Sequence, residues 1–324
     1  MSVRQSLRRA MLYIPGSSEK MLEKSRNLAI DCAIYDLEDS VSPQSKEAAR
    51  KRLGDFLSSS RPHRVTEVAV RINGVDSGHA LDDLTKVLRS PNVDTIVVPK
   101  VQTAADLHFV ADVVRHLQPD QRVATSIEYG NSRQQQASRL LALIETAKGL
   151  VNLPDICKAS PLLCGLGFAA EDFCLDLSIT RSPSLSELLY ARSAIVTAAR
   201  AHDLPSAIDL VCTAFKGDEG LQALEDECAD GRRLGFTGKQ AIHPSQISLI
   251  QSAFGPSGDE VEWAVRVVTA DAKASAAGKG AWTMDGKMVD SPVVSRAQGI
   301  VNKAAECGID LQAMREKWKD QKPE

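Results

Sequence analysis

Residues 33–41 read AIYDLEDSV, an apolar run that ends in Asp36, Glu38 and Asp39 and stops at Ser42-Pro43. Ionised carboxylates repel one another and are seldom buried without partners. The run therefore reads as a buried strand whose last residues either emerge into solvent or meet something cationic. Similar short runs recur along the chain: AMLYI, EVAVRI, TIVVPK, LLALIE, LLCGLGF, SAIDLV and KQAIH. Between them lie segments of helical pattern, such as SEKMLEKSRNLA, PQSKEAARKRLGDFL, TAADLHFVADVVRHL and SELLYARSAIVTAARAH. Largely apolar strands alternating with helices predict a parallel sheet covered on both faces. Eight such units over about 250 residues have the size of a (β/α)₈ TIM barrel. A doubly wound sheet is the main alternative, but no GxGxxG follows the first strand.

Two regions fall outside the repeat. Residues 120–138 are polar and read as a surface insertion with a short strand of its own. After residue 255 the pattern changes to a helix followed by a Gly-flanked, hairpin-like AWTMDGKMVDSP. The expected organisation is thus a barrel domain over 1–255 and a C-terminal helix and lid extension over 256–324.

Bulk composition narrows the function. The 324 residues are 43% hydrophobic and 25% charged, with a formal charge of −3. No basic stripe interleaves with aromatics, so nucleic acid is not the expected partner. No apolar run approaches the roughly 18 residues of a membrane span. The seven cysteines form no CxxC pair and are odd in number, which favours reduced thiols and an intracellular compartment. The Arg-rich, acid-free start MSVRQSLRRA leaves mitochondrial and cytoplasmic locations both open.

In a barrel of this kind the C-terminal strand ends converge on the active-site mouth. They bring Tyr13, Pro15 and Gly16; Glu38 and Asp39; Arg71 and Asn73; Lys100; Glu145; Glu171 and Asp172; Asp209; and His243. Several carboxylates without a Cys/His cluster suit a hard divalent ion, Mg²⁺ above all. Glu145 and Asp172 are the expected ligands, with Glu38 and Asp39 orienting metal-bound waters or neighbouring groups. Each assignment has a plainer competitor: a solvated strand end for the DLED run, a rim ion pair for Arg71, a strand-end hydrogen bond for His243, and solvated lysines for Lys20 and Lys24.

LYIPG, EKMLEK, DLEDSV, VRIN, VVPK, IETAKGLVN, GFAAEDF and GFTGKQAIHPSQI, in that order through the chain, resemble the HpcH/HpaI aldolase and citrate lyase β-subunit family. The resemblance implies a trimeric (β/α)₈ barrel that binds Mg²⁺, with Mn²⁺ as a substitute, and acts on acyl thioesters. It implies Glu145 and Asp172 as metal ligands and Arg71 as the grip on the substrate carboxylate. Tyr13, Lys20 and Lys24 fall on substrate and CoA-binding positions, and Ile242 and His243 on the strand-eight motif lining the thioester site. Asp290 in MVDSP falls on the catalytic acid/base, which a neighbouring subunit would present.

The implied reaction is retro-Claisen cleavage of a 3-hydroxy-3-carboxyacyl-CoA, citramalyl-CoA or malyl-CoA, to acetyl-CoA and pyruvate or glyoxylate. The reverse condensation, a citryl-thioester lyase subunit, a malyl-CoA thioesterase and a non-catalytic CoA-ester-binding subunit are the alternatives. The chain departs from the family pattern around residues 129–136 and in CLDLSITRSPSLSE after EDF, which bears on substrate preference.

Overall fold

The computed structural model describes residues 7–119 and 138–324. The insertion expected near 120–138 lies almost wholly outside the described residues. Eight parallel strands close a barrel in sequence order: β1 (Ala10–Pro15), β2 (Ile30–Asp36), β3 (Val65–Arg71), β4 (Thr95–Val98), β5 (Arg139–Ile144), β6 (Leu163–Phe168), β7 (Ser206–Asp209) and β8 (Gly238–Ala241). Closure is made by β8 beside β1, with Ala10 opposite Lys239 and Leu12 opposite Ala241. All eight expected runs are strands, and the TIM barrel is the fold.

The helices around them are α1 (Glu19–Ser25), α2 (Lys46–Ser59), α3 (Ala80–Val87), α4 (Ala104–Leu117), α5 (Ala147–Val151), α6 (Leu153–Lys158), α7 (Ala170–Leu177), α8 (Leu189–Ala201), α9 (Gly217–Leu234) and α10 (Ile247–Ala253). Several starts are written in the sequence. Ser18 caps α1 by accepting from Met21 N, and Thr103 with Asp106 forms a capping box on α4.

The barrel interior is layered. Met11, Cys32, Ile34, Ala69, Val97, Leu141, Leu143 and Ile208 form its apolar middle. Below them Arg8, with a fully buried side chain, donates from Nε and Nη2 to both Glu67 oxygens at 2.7 Å. Its Nη1 donates to Ser206 Oγ at 3.0 Å and to the Cys164 carbonyl at 3.2 Å. This polar plug at the strand beginnings belongs to stability rather than chemistry.

The chain divides into two compact units, Met1–Gln251 and Ser252–Glu324. The second contains α11 (Gly258–Ala276), the antiparallel hairpin β9 (Trp282–Met284) and β10 (Lys287–Val289), α12 (Ser291–Glu306) and α13 (Gln312–Lys317). Its hairpin turns at Asp285-Gly286, both at positive φ, as a tight two-residue loop requires. The unit has its own core, in which Val261, Val265, Trp282, Met284 and Val301 are buried.

Candidate active site

Side chains on a strand alternate between faces, so the interior layer determines which end residues reach the mouth. Counting two onward from Met11 gives Tyr13, from Ile34 gives Asp36, from Ala69 gives Arg71, and from Leu143 gives Glu145. Asp209, by contrast, is the residue next to Ile208 and faces the helices. It receives bidentate hydrogen bonds from buried Arg192 on α8, at 3.1 and 2.7 Å. The expectation that Asp209 joins the mouth is therefore corrected. Glu171 also points elsewhere: it is exposed and pairs with Arg181 at 2.7 Å.

The three carboxylates that end β2 divide into distinct tasks. Asp36 is fully buried and accepts from Arg71 Nε at 2.7 Å and Nη2 at 2.8 Å. It also accepts the backbone N–H groups of Glu38 and Ser40, at 2.9 and 3.0 Å, which winds the following turn around it. Burial alone would raise the Asp36 carboxyl, but the Arg71 hydrogen bonds and charge outweigh that and hold it below its usual range. Glu38, 5% exposed, lies 2.9 Å from Arg71 Nη1 and 3.0 Å from Lys100 Nζ. Asp39 reaches the same two cations only at 3.3 and 3.6 Å. Lys46 steadies the turn by donating from Nζ to the Leu37 and Glu38 carbonyls, at 2.9 and 2.7 Å. The solvated-strand-end reading of the run does not hold, since two of its carboxylates are buried and paired.

Asp36 is the site residue that the sequence reading named but left without a task. The sequence carried no signal for it, because β2 is buried at every position and only the closed barrel shows that Asp36, two residues beyond interior Ile34, shares the lumen with Arg71.

Glu145 follows β5 and is fixed from behind by Thr146, the N-cap of α5, which accepts from Gly149 N at 3.1 Å. The start of α7 is tied to the same place, since Ala169 N donates to the Ile144 carbonyl at 3.1 Å. Asp172 therefore sits in the first turn of α7, next to Glu145, where the helix dipole favours negative charge. Glu145 is 1% exposed, and neither of its oxygens has a hydrogen bond of good geometry. Burial pushes its carboxyl up to about 9, with Glu38 and Asp172 adding repulsion.

A buried carboxylate beside a second, half-buried one is what a cation would compensate. Among the described residues no cluster of three or more His, Cys, Asp or Glu is arranged to hold a metal. Two carboxylates fit a hard ion that keeps several waters, and Mg²⁺ is of that kind. Glu145 and Asp172 would be its protein ligands.

The remaining expected residues distribute as follows. The Tyr13 hydroxyl donates to Gln240 Oε1 at 2.7 Å, and its ring lies 4.7 Å from Arg71 Cζ. Ile242 is 41% exposed after β8, and His243 stacks on Phe215 with ring centroids 4.9 Å apart. Nδ1 of His243 also contacts Ser245 Oγ at 2.7 Å, so this ring has a local structural task as well. Lys20 and Lys24 are exposed on α1. Asp290 belongs to the second unit, where it caps α12 by accepting from Val293 N at 3.3 Å.

Fold and site together define a (β/α)₈ barrel with two neighbouring carboxylates and a half-buried, carboxylate-held arginine at its C-terminal mouth. The chain belongs to the HpcH/HpaI aldolase/citrate lyase family, whose model matches residues 9–244. It is 36% identical to the human mitochondrial citramalyl-CoA lyase, over 92% of this chain and 85% of that one. It is also 36% identical to the citrate lyase β subunit of Haemophilus influenzae, over 92% and 97%. Among solved structures it resembles CitE of Mycobacterium tuberculosis in complex with magnesium, acetoacetate and coenzyme A. There the TM-score is 0.69 and the identity 30%, over 91% of this chain and 97% of that one.

Proposed function

We propose that this protein is a Mg²⁺-dependent carbon–carbon lyase that cleaves a 3-hydroxy-3-carboxyacyl-CoA to acetyl-CoA and a 2-oxo acid. Citramalyl-CoA giving pyruvate is the leading substrate, and malyl-CoA giving glyoxylate the second. The observation that carries the reading is buried Glu145, its oxygens without a hydrogen bond of good geometry, beside half-buried Asp172 at the same mouth as Arg71. The relatives named citramalyl-CoA lyase and citrate lyase β subunit support the reaction class.

When bound, Mg²⁺ supplies Lewis acidity toward the substrate hydroxyl and carboxylate. Arg71, held rigid by Asp36, binds and orients that carboxylate, so the bond that breaks is the one between C2 and C3 of the acyl chain. The hydroxyl proton passes to water at the mouth, the oxygen's electron pair forms the oxo-acid carbonyl, and the pair of the broken C2–C3 bond remains on the acetyl-CoA enolate. Asp290, carried to the mouth by a neighbouring subunit, protonates the enolate carbon and in the reverse direction removes a methyl proton. Lys20 and Lys24 meet the CoA phosphates, and Ile242 and His243 line the thioester.

A homotrimer is part of the proposal. Val151 on α5, Leu175 on α7 and Tyr190 on α8 are 79%, 77% and 77% exposed, apolar side chains that a second copy would cover. All seven cysteines are free, in keeping with a reducing intracellular compartment, mitochondrial or cytoplasmic.

The test is to incubate the protein with citramalyl-CoA and with malyl-CoA, in Mg²⁺ and in EDTA, and to follow free pyruvate and glyoxylate. Metal-dependent release of either acid is the expected result and names the substrate. No release from metal-loaded protein would refute the stand-alone lyase, in favour of a partner-dependent citryl lyase, a thioesterase or a non-catalytic CoA-ester-binding subunit.

A further inference from the structure

Arg71 has little left to offer an incoming carboxylate. Asp36 occupies its Nε and Nη2, and Nη1 is divided between Glu38 at 2.9 Å and Asp39 at 3.3 Å. Lys100 is placed similarly, 3.0 Å from Glu38 and 3.6 Å from Asp39. The three carboxylates around these cations are unequal. Asp36 and Glu38 are buried, with hydrogen bonds or short contacts, and the backbone between them is clamped by Lys46. The Asp39 side chain is 54% exposed, accepts one hydrogen bond from Arg71 Nη1 at 3.3 Å and lies 3.6 Å from Lys100 Nζ. It can turn into solvent about its own Cα–Cβ bond without moving the turn.

Lys100 carries a second sign of a functional position. Its φ of 51° lies in the left-handed region, which a long side chain seldom occupies without compensation. Such strain is kept where the surrounding structure requires a particular direction for a side chain. Its side chain is 39% exposed, and its charge is secure, because the Glu38 contact overcomes the effect of burial and raises its pKa.

We propose that Arg71 Nη1 and Lys100 Nζ together form the seat for the substrate carboxylate, and that Asp39 fills this seat in the ligand-free protein. An incoming 2-oxo or 2-hydroxy carboxylate takes the place of the Asp39 carboxylate, which swings into water. Lys100 is thereby a substrate-binding residue, and Asp39 an internal competitor that keeps two cations paired between turnovers. The inference rests on the lyase reading for the nature of the ligand.

The experiment is calorimetric titration of pyruvate into Mg²⁺-saturated protein, for the wild type, Asp39→Asn, Lys100→Met and the double variant. Removing an occupant that fills most of the sites tightens apparent binding by the reciprocal of the free fraction, so Asp39→Asn is expected to lower the pyruvate Kd by about 3- to 10-fold. Lys100→Met is expected to raise it, and in that background Asp39→Asn should yield a smaller gain, because the two residues share one seat. Unchanged or weaker binding by Asp39→Asn overturns the proposal. A gain of full size in the Lys100→Met background also overturns it, since that is general charge repulsion rather than displacement. Absence of pyruvate binding to the metal-loaded wild type overturns it as well. Asp39→Ser checks that the Asn side chain adds no contact of its own. Wild-type cleavage of citramalyl-CoA is measured in parallel, so failure of the displacement and failure of the lyase reading are seen separately.

Discussion

Replacing Glu67 by Gln should destabilise the barrel by about 3 kcal/mol at pH 7, and by progressively less as the pH falls. Burial alone would raise the Glu67 carboxyl, but Arg8, with a further contribution from Arg139, holds it at about 2 against an ordinary value of 4.5. That difference corresponds to about 3 kcal/mol at neutral pH. An independent route gives a similar figure, because removing one partner of a buried ion pair costs roughly 3–5 kcal/mol. The sign follows from proton binding. The folded pKa is depressed, so the unfolded chain binds the proton more readily, and the contribution is complete above about 4.5 and is lost as the pH falls toward 2. The assay is urea unfolding of wild type and Glu67→Gln at pH 7 and in steps down to pH 3, followed by circular dichroism. A stability difference that stays constant across this range would refute the electrostatic account. Arg8→Met with Glu67→Met should recover part of the loss, since two apolar side chains leave no unpaired charge.

Other consequences concern the mouth. Because Glu145 is held protonated up to about 9 by burial, Mg²⁺ must displace a proton, so its affinity should rise between pH 6.5 and 8.5. Titrations in two buffers of different ionisation enthalpy would count that proton, and a count of zero would sink the argument. Arg71→Lys keeps the charge but loses the fork that Asp36 holds, and kcat/KM for citramalyl-CoA should fall about 100-fold or more. Asp209→Asn should lower stability by about 3 kcal/mol through Arg192 yet leave Mg²⁺ affinity unchanged, as thermal melts and Mn²⁺ titration by electron paramagnetic resonance would reveal. A Cβ on Gly149 would clash with the Val101 carbonyl oxygen, so Gly149→Ala should lower Tm, with a cost of about 1–3 kcal/mol.

Much of this protein was legible in the chain itself. Alternating apolar runs and helical segments specify the barrel, and the polar strand ends mark the mouth. Glu145 and Arg71 lie at such ends, and Asp172 in the first turn of the helix that follows β6. What the chain could not disclose was the phase of each strand. In a parallel barrel both strand faces are buried, so a run such as AIYDL is apolar at nearly every position, and hydrophobicity does not reveal which residues face the lumen. Phase is decided by closure of the sheet and by register with neighbouring strands. It sends Asp36 inward to Arg71 and Asp209 outward to Arg192. The meeting of Glu145 and Asp172 is likewise tertiary: 27 positions separate them, and a backbone hydrogen bond from Ala169 to Ile144 brings them together. Local sequence encodes strand, cap and turn, but the partner of each buried charge is chosen only when the barrel closes.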